Sequence, residues 1–374
     1  MLFKGSIRSG VRELKQLFVD DLAEGMVLEQ DIFGPGSNKI PLLAKDVILT
    51  GRQIEMLRKN GILGAFVAGE EEAELIQLPP PRQIITPQLR DSALQKLTDL
   101  FEFFRNGEGD RQQVLHIIDR IDVLVGQLVE NLQKDENTQI HIAGLKSYDE
   151  YTYHHSLSVS VLAIAIGQAL DLEESQLHEL GKCAMMHDIG KTAIPIDIIN
   201  KPSTLSKEEF DIIKRHSPEG YQYLNKFNID DPVLLSAVLF HHERFDGSGY
   251  PYGLKGDKIP LFSRIIAVAD VYDALTSHRS YRIPESPAEA LEYIMGNAEA
   301  AFDYDIICAL IKKLELYPVG SLVRLSNGQK AVVMDNAHIL RPTIKLLETG
   351  KLLDLYQDNN YLNLTIRNIM PLEM

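Results

Sequence analysis

Nine of the eleven histidines in this chain of 374 residues fall between His141 and His278. Over the same stretch, 138–316, apolar residues recur mostly at helical spacing, so the imidazoles ride on a series of helices. Imidazole nitrogens and carboxylate oxygens are donors that divalent first-row metals accept. The pair His241-His242 follows the apolar run Val233 to Phe240, and His187-Asp188 ends a helix running from about Ser175. Together they suggest ligands for more than one ion, and paired metals usually serve phosphate-ester chemistry.

Each candidate has a plainer reading beside it. Neighbours on a helix point about 100° apart, so His187 and Asp188 serve one metal from one side only at a helix end. A carboxylate has two oxygens, which lets Asp188 bridge two ions; the alternative is a capping Asp beside a core His. Gly190 is expected to let the backbone turn sharply. His216, after the helical stretch Lys207 to Arg215, reads alone more often as a satisfied residue than as a ligand. Adjacent imidazoles in a buried segment, as at His241-His242, are harder to explain structurally. His155 opens a further apolar helix, and Asp270 follows the apolar run Ile265 to Ala269. A carboxylate buried there needs a partner, which a metal supplies. Asp273, one turn on, either supports the site or touches substrate.

The formal charge of −15 argues against a general nucleic-acid binder, which needs clustered Lys and Arg. An anionic substrate remains open where metal ions concentrate positive charge. The two cysteines, Cys183 and Cys308, read as small buried side chains, in keeping with a reducing cytoplasm. The N-terminus lacks the apolar core of a secretory signal. The most apolar run, Val159 to Leu170, falls short of the ~20 residues of a spanning helix, so no membrane is expected.

Four segments follow from the pattern. Residues 1–78 form a small β-rich unit holding one helix, Thr50 to Lys59, with Thr50 as its cap. Segment 79–137 begins at Pro79-Pro80-Pro81, which continues neither a helix nor a central strand, and goes on as an amphipathic helical linker. In it Val114, Ile118, Ile121, Val125, Leu128 and Leu132 make a heptad stripe. The 114–132 helix thus either packs on its own domain or pairs with a second copy or a partner. Segment 138–316 is helical and carries the chemistry. Residues 317–374 form a small β-rich unit, signalled by Asn327-Gly328 between two β-branched runs.

His155-Ser156, His187-Asp188-Ile189-Gly190-Lys191, His216, His241-His242-Glu243 with Asp246-Gly247-Ser248-Gly249-Tyr250-Pro251, and Ala269-Asp270 through Thr276 together resemble an HD-GYP domain. This is a subgroup of the HD-domain metal-dependent phosphohydrolases, and the resemblance covers about 138–316. It implies a multidomain, mainly α protein whose all-helical HD-type catalytic domain is flanked by small β-rich N- and C-terminal units. It also implies hydrolysis of the bacterial second messenger cyclic di-GMP to pGpG and in some members to GMP. Carried over position by position, the metal ligands would be His155, His187, Asp188, His216, His241, His242 and Asp270, with Asp188 bridging. Lys191, Asp273, Arg279 and Arg282 match positions similar to phosphate and substrate contacts of the family, and Tyr250 lies in the loop that shapes the pocket. Where three-metal members have a Glu four residues before the first ligand His, this chain has Tyr151, with Glu150 one place off, which favours two metal ions over three. Residues 1–78 look like a small domain found ahead of some HD-GYP domains.

The mechanism so implied has Asp188 and its neighbours hold two ions, iron or manganese, that lower the pKa of a bridging water for attack on phosphorus. Lys191 stabilises charge on the phosphate oxygens, Arg279 grips a phosphate bidentately, and the Gly247-to-Pro251 loop sets Tyr250 beside a guanine. Two competing readings stand beside it: a catalytically silent cyclic-dinucleotide receptor or adaptor, and a hydrolase of 3′3′-cyclic GMP-AMP.

Overall fold

The computed structural model describes residues 13–32, 41–60, 62, 64–69, 85–107, 109–134, 140, 151–201, 203–277 and 285–370. The chain divides into two compact units, Met1–Pro79 and Pro80–Met374. In the first, strand β1 (Glu13–Phe18) and helix α1 (Gly51–Lys59) precede strand β2 (Gly64–Gly69), which pairs antiparallel with β1. Thr50 and Gln53 close a reciprocal capping box that starts α1 where the sequence places it. Leu28, Leu49, Leu57 and Val67 fill the small core.

The second unit is a helical body. Helix α2 (Pro87–Asn106) starts at the Thr86 cap with Pro87 in its first turn and stops at Gly107, whose φ of +67° suits a residue without Cβ. Helix α3 (Arg111–Gln133) starts at an Asp110–Gln113 capping box. Helix α4 (Tyr151–Ala169) is apolar around most of its circumference, and such a helix belongs at the centre of a bundle. Leu157 and Val159 to Ile166 are indeed buried, and α5 (Glu174–Met186), α3 and α2 pack round it. Close approach is made possible by Gly181, where a Cβ would press on Val125 and Ile164, and Ser160 Oγ donates to the Gly181 carbonyl at 2.9 Å.

The remaining helices are shorter than α4, and some of them begin at side-chain caps on Ser206, Asp231, Ser286 and Asp303. They are α6 (Ile196–Ile199), α7 (Lys207–Ile213), α8 (His216–Lys226), α9 (Pro232–Phe240), α10 (Leu261–Thr276), α11 (Pro287–Gly296) and α12 (Tyr304–Lys313). Asp231 caps α9 through Leu234 N and pairs with Lys182 on α5 at 2.8 Å, tying together two helices whose C-terminal ends carry histidines.

Five antiparallel strands follow: β3 (Leu322–Leu325), β4 (Lys330–Asp335), β5 (Thr343–Leu346), β6 (Leu352–Asp354) and β7 (Ile366–Met370), in the spatial order β6-β5-β4-β3-β7. The expected hairpin at Asn327-Gly328 joins β3 to β4, with Gly328 at φ +87°. Val323, Leu325, Val333 and Ile344 belong to the same hydrophobic core as the helices.

The heptad stripe of α3 faces inward. Its six residues are 0 to 7% exposed and pack within this unit, where α2, α4 and α5 lie against α3. The pairing of this stripe with another chain therefore loses the side chains it needed, because a bundle of amphipathic helices consumes them first. Cys183 is buried, whereas Cys308 on α12 is half-buried. Among the described residues no helix is long and apolar enough to cross a membrane.

Candidate metal centre

Helix α5 ends at Met186, leaving His187 at its C-cap and Asp188 outside helical geometry at φ −95° and ψ 9°. A 3₁₀ turn over Ile189–Ala193 then carries Lys191 back towards Asp188. The side chains of His187 and Asp188 are thereby freed from helical divergence. Gly190 is needed for a reason other than the expected sharp turn. Its φ is not in the left-handed region, but a Cβ there would clash with the His216 carbonyl oxygen and Gly220 N, so main chain lies directly on main chain.

Three imidazoles are oriented alike, each by the backbone carbonyl three residues before it. His187 Nδ1 donates to Ala184 O at 2.7 Å, His216 Nδ1 to Ile213 O at 2.7 Å, and His241 Nδ1 to Val238 O at 2.9 Å. A carbonyl only accepts, so the proton sits on Nδ1 and each Nε2 keeps a bare lone pair. The Nε2 atoms of His216 and His241 are 3.1 Å apart, two acceptors face to face. His187 Nε2 and Asp188 Oδ1 are buried without a hydrogen-bond partner. Buried acceptors that meet only one another are costly, and a cation among them removes the cost.

Asp188 divides these donors between its two oxygens. Oδ2 lies 3.6 Å from His155 Nε2 and 3.4 Å from His187 Nε2, while Oδ1 lies 3.4 Å from His216 Nε2 and 3.9 Å from His241 Nε2. Two ligand groups result, His155-His187-Asp188 and Asp188-His216-His241-His242, sharing one carboxylate. Asp270 on α10 also reaches both, at 3.1 Å from His155 Nε2 and 3.9 Å from His242 Nδ1. All seven side chains expected as ligands thus converge from α4, α5, α8, α9 and α10, and the donor set fits divalent ions of the first row.

The electrostatics suit ligation. Burial pushes the imidazoles of His216 down to about 4 and of His242 to about 3, and burial with neighbouring imidazoles pushes His241 down too, so all three stay neutral donors. Burial raises the Asp188 carboxyl, but the Lys191 ammonium on its Oδ2 outweighs this and holds it well below the usual range. For His155 burial acts downward, yet bonds to Asp270 and Asp273 raise it to about 9.

The expected substrate contacts fare differently. Asp273 is 1% exposed and bonds His155 Nδ1 through Oδ2 at 2.7 Å, so it orients a ligand from behind rather than meeting substrate. Lys191, 23% exposed, places Nζ on Asp188 Oδ2. Tyr250 stacks on His242 with ring centroids 4.8 Å apart, and burial raises its phenol so that it remains protonated. Arg279, Arg282, Glu150 and the Tyr151 side chain lie outside the described residues.

Two details of the loop escaped the sequence. Gly247 has φ +86°, but Gly249 is there for close approach: a Cβ would clash with Arg244 N and Glu243 Cα. Glu243 carried no role in the sequence reading, yet it is 3% exposed and both its oxygens accept from loop amides. Its signal was an acidic residue directly after the paired histidines, at the head of a glycine-rich loop.

Residues 127–306, the helical stretch that gathers these His and Asp side chains round one shared carboxylate, match the HD domain family. Cyclic di-GMP phosphodiesterase PA4108 of Pseudomonas aeruginosa is 35% identical over 278 residues, 73% of this chain and 66% of that protein. The 3′3′-cGAMP-specific phosphodiesterase 3 of Vibrio cholerae is 36% identical over 168 residues, 45% of this chain and 36% of that protein. The chain thus spans from about a third to just under two thirds of these relatives. An HDG"Y"P protein from Bdellovibrio bacteriovorus shares the fold, with a TM-score of 0.50 at 18% identity, covering 80% of this chain and 98% of that one.

Proposed function

We propose that this chain is a metal-dependent phosphodiesterase of the HD-GYP type that hydrolyses cyclic di-GMP, using two divalent ions, iron or manganese, at the Asp188 centre. The carrying observation is the pair of ligand groups that share Asp188, with their bare Nε2 atoms turned on one another. Likeness to a relative named as a cyclic di-GMP phosphodiesterase supports the choice of substrate.

When bound, such ions supply Lewis-acid polarisation of a phosphodiester oxygen and an acidified water. The protein's own groups do the rest. Three backbone carbonyls lock the imidazoles of His187, His216 and His241 with Nε2 inward, which fixes geometry before substrate arrives. Asp273 does the same for His155. Lys191 neutralises the Asp188 oxygen it touches and is exposed enough to face a phosphate. Tyr250 stands at the rim as a protonated phenol on the face of His242, where it can border a base. Arg279 and Arg282 are proposed as phosphate contacts, since guanidinium forks match phosphate oxygens bidentately.

Turnover of cyclic di-GMP and of 3′3′-cyclic GMP-AMP by purified protein, reduced anaerobically and analysed for metal, tests this reading. The expected result is hydrolysis to pGpG or GMP with cyclic di-GMP preferred and two ions per chain. Preference for cyclic GMP-AMP would move the assignment to the second substrate. Tight binding without turnover by fully loaded protein would make the chain a receptor.

A further inference from the structure

The loop after His242 closes on one carboxylate. Glu243 Oε1 accepts from Tyr252 N at 2.7 Å and Oε2 from Leu254 N at 3.0 Å, so both oxygens are taken up by amides that lie beyond Tyr250-Pro251. On the near side Tyr250 N donates to the His242 carbonyl at 3.2 Å, and Gly249 lies flat on the backbone of residues 243 and 244. The outer turn is anchored too, by Phe245 N to Ala301 O at 3.1 Å, Asp246 N to Ala300 O at 2.8 Å and Gly256 N to Phe245 O at 2.9 Å. Between these ties the Tyr250 ring rests on His242 at a 30° interplanar angle. Among the described residues Glu243 belongs to neither ligand group.

We propose that Glu243 is a positioning residue for the cyclic dinucleotide, acting through Tyr250. Its carboxylate clamps the far limb of the loop, and that clamp keeps the aromatic ring against His242 as the wall on which the substrate seats. This inference rests on the functional reading above. Hydrogen bonds to an ionised acceptor are among the stronger ones, and two on one carboxylate hold a short loop in one geometry. Without them the Tyr252 and Leu254 amides turn to water, Tyr250 is released, and the seat is lost while the ligand groups keep their own carbonyl and carboxylate supports.

Glu243→Ala, Glu243→Gln, Tyr250→Ala and the double variant Glu243→Ala/Tyr250→Ala test the proposal in the metal-loaded protein. The expected result for Glu243→Ala is a KM for cyclic di-GMP raised by about tenfold or more, with a much smaller fall in kcat and unchanged metal content. Glu243→Gln, which keeps one good acceptor, recovers part of the loss. In the Tyr250→Ala background, removing Glu243 adds nothing further to KM, the non-additivity of residues acting as one unit. Hydrogen exchange read by mass spectrometry is faster over 244–256 in Glu243→Ala and unchanged in α9 and α10. Equal KM values for wild type and Glu243→Ala, full additivity with Tyr250→Ala, or a joint fall of kcat and metal content would overturn the proposal. Wild-type protein that neither binds nor hydrolyses the compound sinks the functional reading, and faster loop exchange without Glu243 then still marks the clamp as real. Unchanged exchange sinks the clamp whatever the activity.

Discussion

At the scale of the residue, Asp188 and Lys191 have separable parts. Asp188 is common to both ligand groups, so Asp188→Ala is expected to lose metal and turnover together. Lys191 touches Asp188 but donates no lone pair to a cation, so Lys191→Ala is expected to keep its metal while turnover falls by about 100-fold, the cost of one electrostatic donor at a reacting oxygen. Metal analysis beside kcat decides between them, and a Lys191→Ala protein with wild-type kcat would remove that lysine from the chemistry. Much of this was readable in the sequence, because each ligand is an identity that water-facing surfaces rarely demand in such spacing. The support behind the ligands was not. The Ala184, Ile213 and Val238 carbonyls that turn the imidazoles are main-chain groups common to any sequence, and Asp273 could be assigned to His155 only once α4 and α10 were seen to pack.

At the scale of the element, side-chain caps mark where several helices begin, and burial decides how they pack. The Thr50 cap of α1 was legible in the sequence, and the Asp231, Ser206 and Ser286 caps follow the same rule, a side-chain acceptor ahead of the first helical turn. The stripe on α3 showed its period but not its partner, since an apolar face looks alike whether it meets its own chain or another. The packing resolves that ambiguity and gives a test. Ile121→Ala and Leu128→Ala, both fully buried, are each expected to cost about 2–5 kcal/mol in unfolding free energy, as large-to-small core changes do. Light scattering is expected to give one molar mass for the variants and the wild type, and a mass halved by either substitution would return the stripe to a dimer interface. The glycines teach the same lesson in reverse: Gly190 reads as a sharp turn, whereas it and Gly249 are each a place where two backbones touch.

At the scale of the whole molecule, the centre joins five helices, and its occupancy is expected to govern stability. A cation that binds only the folded chain adds about 2.7 kcal/mol when its free concentration is a hundred times Kd. Chelation should therefore lower Tm, and restoring the metal should raise it again. The metal-free protein carries a further signature in pH. The depressed pKa values of His216, about 4, and His242, about 3, mean that the unfolded chain binds protons these folded imidazoles refuse. Stability from them is complete above the ordinary histidine value of about 6.5 and is lost as pH falls from there towards 4. His155 runs the other way: raised to about 9, its contribution is complete below about 6.5 and is lost as pH rises through 9. Calorimetry of chelated protein across pH 5 to 10 is thus expected to give a Tm that peaks near about 6.5 and falls on both sides. In loaded protein the alkaline fall should vanish, because a ligating imidazole is already neutral.

The contact of Gly190 with the His216 carbonyl and Gly220 sets how far Asp188 stands from its opposite donors. An aperture framed by peptide planes cannot be widened by swinging a rotamer. Calcium, which seeks a loose shell of many oxygens, meets here a rigid frame furnished largely with nitrogen. Calcium is therefore expected to bind here more weakly than a first-row ion, and the restriction lies in the main chain itself.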